Sequence, residues 1–141
     1  MPAASPVPIV DGHLDLAENV TLFGRDLTKS IEETRADDRH RGATVTLPEL
    51  ERGGIAVAIA TVTAGFLAAD VGHDFEPRSA LYATPEEAEA HALEQVALYE
   101  RWQDEGHVRL VKSAAELERH LDLWRTDQEC SARTPSRSRS A

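Results

Sequence analysis

Cysteine is nearly missing from this chain of 141 residues: Cys130 stands alone, which rules out an internal disulfide and a zinc-finger type of cysteine cluster. A reducing compartment, the cytoplasm, is the expectation. Long apolar runs are missing too, since no stretch approaches the roughly 20 apolar residues that span a bilayer. The opening MPAASPVPIVDG lacks a basic segment followed by an apolar one, so no secretory signal is expected, and the sequon Asn19-Val20-Thr21 reads as a chance match. Aromatic residues make up 5% and lysine is confined to Lys29 and Lys112 against 13 arginines, a skew that suggests GC-rich coding. The net charge is −10, so a polyanion meets repulsion over most of the chain and nucleic acid is not an expected partner. What is present, 41% hydrophobic and 28% charged residues, is ordinary for a single globular domain.

Along the chain, residues 1–6 read as a flexible leader of small residues and prolines, and residues 7–14 as a first strand. Residues 17–43 are polar and irregular, with a helical stretch around 30–36. Thr46-Leu47-Pro48 starts a short helix that Gly53-Gly54 ends, and IAVAIATVTA over 55–64 predicts a strand buried on both faces, as in a parallel sheet. Residues 66–83 read as a long loop. Thr84-Pro85-Glu86-Glu87 opens a helix to about Glu105, with Ala88, Ala92, Val96, Tyr99 and Trp102 as its apolar stripe. A short strand over 107–111 and an amphipathic helix over 114–126, carrying Ala114, Leu117, Leu121 and Trp124, complete an alternation that predicts α/β architecture.

The character changes at residue 129. ECSARTPSRSRSA carries a charge of +2 and no apolar period, and disorder is expected for 129–141. It reads either as an Arg/Ser interaction tail or, preferably, as out-of-frame translation of GC-rich DNA.

The stretch with chemistry is Val10-Asp-Gly-His-Leu-Asp-Leu16. Side chains alternate along a strand, so His13 and Asp15 project together from the end of the first one. One imidazole and one carboxylate make half of a site for zinc or a similar divalent ion, and Gly12 would let the backbone bend or approach closely. The competing reading makes Asp11-Gly12 a turn and gives His13 and Asp15 ordinary surface hydrogen bonds.

VDGHLDLA resembles the opening motif of the membrane dipeptidase (renal dipeptidase) family of zinc metallopeptidases in the amidohydrolase superfamily, usually Asp-Gly-His-Asn-Asp-Leu. LPELERGGIAVAIATVTAGF resembles that family's second strand segment, and ALYERW and KSAAELERHL follow in matching order, so the resemblance covers residues 7–128. Leu14 replaces the usual Asn and leaves both ligand positions in place. The resemblance implies a (β/α)8 TIM-type barrel with two zinc ions that hydrolyses dipeptides or similar small amides, with His13 and Asp15 as ligands of one zinc. The family's bridging glutamate comes from a third strand, which the chain does not reach. His40, His73, His91, His107 and His120 lie in contexts unlike the missing ligand positions.

The expectation is therefore the N-terminal portion of a dipeptidase-like barrel, incomplete and by itself inactive. No residue is assigned a catalytic role. Another amidohydrolase-type hydrolase of C–N bonds, and a non-catalytic interaction module built from an acidic body and a basic tail, are the alternatives. Oligomeric state is not readable from the sequence, although a partial barrel would expose apolar strand edges.

Overall fold

The computed structural model describes residues 7–37, 42–63 and 84–133, with side chains as far as residue 127. The expected leader, the expected loop over 66–83, His40, His73 and the end of the tail lie outside the described residues. In chain order the elements are β1 (Ile9–Leu14), α1 (Leu16–Phe23), α2 (Ile31–Asp37), α3 (Leu47–Arg52), β2 (Ile55–Ala60), α4 (Pro85–Asp104) and α5 (Ala114–Arg133). The two strands pair in parallel, which makes the protein mixed α/β as expected.

Their register slips twice. Ile9 faces Ile55 and Val10 faces Val57, so β2 gains a residue at Ala56; Asp11 faces Ala58 and Leu14 faces Ala60, so β1 gains one at Gly12-His13. The second bulge bends β1 at the histidine, a use of bulges common beside functional sites.

Local signals explain the helices. Thr84 accepts the Glu87 N–H at 3.2 Å with Pro85 next to it, and α4 ends where Gly106 enters the left-handed region at φ 82° and the His107 N–H reaches back to the Trp102 carbonyl at 2.9 Å. Ser30 and Glu33 form a reciprocal capping box at α2. Glu116 accepts the Lys112 N–H at 2.7 Å at the start of α5. Thr46 occupies the cap position of α3 as expected, yet its hydroxyl makes no cap bond; it is fully buried and without a partner.

The core lies between α1 and α4. Leu16, Ala17, Leu27, Leu98, Tyr99 and Trp102 form it, with Leu14, Val20, Leu50, Val108 and Leu110 packed around them. Tyr99 and Trp102 meet edge to face, with ring centroids 5.8 Å apart.

Several expectations are corrected. Residues 16–23 are helical, not irregular: Leu16, Val20 and Phe23 recur at helical spacing, and Gly24 at φ 65° closes the turn. β2 is not buried on both faces, because Ile59 is 58% exposed and only Ala56 is buried. On α4, Val96 turns outward and Gln95 takes its place in the interior. Residues 107–111 form no strand: Val108 and Leu110 dip into the core in alternation, but the Leu110 N–H is taken by the Gln103 side chain at 3.0 Å instead of a ladder partner. On α5, Leu117, Leu121 and Trp124 are half-buried while Ala114 is exposed. α5 continues through residues 129–133, where disorder was expected, because helix-compatible residues persist until Pro135.

Candidate functional site

Both strands end on the same side, since they are parallel, and β1 runs straight into α1 through Asp15. The bulge before it leaves His13 Nε2 3.2 Å from Asp15 Oδ1. The sequence expectation that these two side chains meet is therefore met, by a different route: Asp15 lies one residue beyond the strand, at a corner where the alternation rule no longer applies. The histidine side chain is 72% exposed and the carboxylate 39%.

Asp15 sits at the N-cap of α1 but makes no cap hydrogen bond from its side chain, with φ −86° and ψ 54°. Its carboxylate is turned instead toward His13 and toward Thr61, whose hydroxyl donates to Oδ1. Asp is among the best helix caps, so a cap residue directed elsewhere marks a local conflict of the kind expected at functional sites.

Behind the pair stands a hydrogen-bonded wall from α4. The Tyr99 hydroxyl donates to the Thr61 carbonyl at 2.9 Å and accepts the Ala17 N–H at 3.1 Å, joining the end of β2 to the first turn of α1. Burial, helped by the charge of Asp15, pushes the Tyr99 phenol up, against the opposing Ala17 N–H, so it stays protonated and remains a donor. Gln95, fully buried, pairs its amide with both backbone groups of Thr63, accepting at 3.0 Å and donating at 2.7 Å, as a neighbouring strand would.

Glu18 is a neighbour that the sequence reading passed over. Burial first, then the negative charge of Asp15, raise its carboxyl above the ordinary glutamate range, and His91 partly offsets this. Its signal was its position three residues after Asp15 at the start of a helix not recognised as one. His91 packs on α4 with its side chain 15% exposed and Nδ1 3.6 Å from Glu94, and His107 and His120 lie elsewhere, in contact with Glu105 and with Arg109 and the Ala56 carbonyl respectively. None of the three joins the His13 pair.

The competing turn reading is half right: Asp11 Oδ1 accepts the His13 N–H at 3.0 Å, although both residues belong to β1. Gly12 has no positive φ and open space where a Cβ would go, so close backbone approach is not its role, which leaves the bend. An open groove at the other end of α1, lined by Val20, Arg25, Thr28, Arg101 and Glu105 among others, contains neither His13 nor Asp15.

As a donor set, one imidazole nitrogen and one carboxylate oxygen suit zinc but fall short of its usual four. Among the described residues no group of three or more His, Cys, Asp or Glu side chains is arranged to hold a metal ion. The pair fits as part of a metal site and not as a whole one. No helix among the described residues is long and apolar enough to cross a membrane. Compared with known proteins, the chain matches no family model, no curated protein and no solved structure.

Proposed function

We propose that this chain supplies the first ligand-bearing strand of a zinc-dependent hydrolase of small amide bonds, dipeptides foremost, and that its α/β body corresponds to the opening part of a (β/α)8 barrel. The observation that carries the reading is the convergence of His13 Nε2 and Asp15 Oδ1 at the carboxyl end of a parallel strand, with Asp15 diverted from helix capping. Enzymes on such sheets concentrate their chemistry at that end of the strands.

Bound zinc would supply an activated water and polarise the scissile carbonyl. His13 would contribute an imidazole nitrogen and Asp15 a carboxylate oxygen. Turnover requires about three protein ligands per zinc and an open position. The described residues offer two, so the remaining ligands must come from residues outside those described or from another chain. The 141-residue chain alone is expected to bind zinc weakly and to leave dipeptides intact.

Calorimetric titration of zinc into the chain and into His13→Ala and Asp15→Ala tests the reading. Both variants should lose the tightest zinc event. Equal binding by all three proteins refutes the ligand assignment, and steady zinc-dependent dipeptide hydrolysis by the chain alone refutes its expected inactivity.

A further inference from the structure

Thr61 occupies the first position after β2, where its backbone and side chain both face the end of β1. Its N–H donates to the Leu14 carbonyl at 3.1 Å, extending the parallel ladder by one bond. Its hydroxyl lies 3.3 Å from that same carbonyl and closer still to Asp15 Oδ1. A threonine hydroxyl has one proton to donate, and a carboxylate is the stronger acceptor of the two. The proton therefore goes to Asp15.

We infer that Thr61 is a positioning residue that fixes the Asp15 carboxylate toward His13, and so pre-forms the zinc half-site before any ion arrives; the inference rests on the ligand reading above. Three features of the structure support it. Threonine is stiff at χ1, so a fixed backbone fixes its hydroxyl. The backbone of this segment is itself held from α4, by Tyr99 at the Thr61 carbonyl and by Gln95 at both backbone groups of Thr63. Asp15 lacks the cap bond that would otherwise orient it, so the Thr61 hydroxyl and His13 are the groups within reach of Oδ1 that hold it in place. Without the hydroxyl, the carboxylate is expected to swing among rotamers, including the one that caps α1.

The test compares Thr61→Val, which keeps the shape and removes the donor, with Thr61→Ser, which keeps the donor. Two readouts are taken on the full chain: three-bond couplings to the Asp15 carboxyl carbon, which report its χ1 rotamer without metal, and calorimetric affinity for zinc alone. Thr61→Val should average the Asp15 couplings and weaken zinc binding about tenfold, as loss of a group that orients a metal ligand typically does. Thr61→Ser should restore a single rotamer and bring affinity back to within about twofold of the original on the same scale. Unchanged couplings and affinity in Thr61→Val overturn the inference, as does failure of the serine variant to rescue a folded chain. Should His13→Ala bind zinc as tightly as the unmodified protein, the ligand reading fails and the zinc half of the inference with it, whereas the coupling measurement still decides whether Thr61 orients Asp15.

Discussion

The two sides of the small sheet are held in unlike ways. Toward α4, the ends of β1 and β2 meet a buried wall: Leu98, Tyr99 and Trp102 supply apolar contact, and Tyr99 and Gln95 supply four hydrogen bonds to backbone groups of Ala17, Thr61 and Thr63. Away from that wall, Ile9 and Val10 of β1 and Ile59 of β2 stand exposed, as do the flanking Val7 and Val62, although the run over 55–64 reads from its sequence as a strand buried on both faces. Hydrophobicity alone did not decide which residues are covered; the helix that packs against them did. A two-stranded sheet has little stability of its own, so the bonds from α4 are what keep its carboxyl end in register for the His13 pair.

Substitutions on the two sides should separate sharply. Trp102→Ala removes the largest member of the buried wall and is expected to destabilise the chain by about 3–5 kcal/mol in chemical denaturation, enough to unfold a marginal domain. Tyr99→Phe keeps the ring and deletes both hydroxyl bonds, which leaves the Ala17 N–H and Thr61 carbonyl short of partners and should cost about 2 kcal/mol in the same measurement. Thr46→Val replaces a buried, unpartnered hydroxyl by a methyl group and should go the other way, gaining about 1 kcal/mol.

Glu18→Gln should give a smaller gain that depends on pH. The folded chain raises the Glu18 carboxyl, so its contribution to stability is fully present below the unfolded-state value and is lost as pH rises through the folded one. Thermal melts should therefore find the glutamine variant the more stable at pH 7 and equal to the original once both carry an uncharged side chain in acid. Val10→Thr and Ile59→Thr, on the uncovered side, should change stability by no more than about 0.5 kcal/mol while reducing self-association seen by light scattering. A loss as large as that of Tyr99→Phe would mean that the outer side is covered in solution.

The parts of this arrangement that sequence made visible were those with local signatures. Thr84-Pro85 and Ser113-Glu116 announced α4 and α5, and the two apolar runs announced a parallel pair. His13 and Asp15 were legible as a pair because they are two residues apart. α1 was not, since its cap residue is committed elsewhere and Asn19, Val20 and Thr21 are weak helix formers, so the decisive cue reduced to Gly24. Nor could sequence connect Thr61 to Asp15, 46 residues apart and brought together by the parallel pairing of β1 and β2, or Tyr99 to Ala17, 82 residues apart and brought together by the packing of α4 on α1. The apparent apolar stripe failed at Val96 for the same reason: the Gln95 amide has a backbone to satisfy, and that rotates the buried face of the helix.

The central claim is that the carboxyl end of β1 is a metal half-site, and it is tested most directly by following the ring nitrogens of the six histidines by NMR as zinc is added to the intact chain. The account predicts that the Nε2 resonance of His13 responds first and that Asp15→Ala abolishes its priority. A first response at His91, His107 or His120, with His13 unmoved, would contradict it.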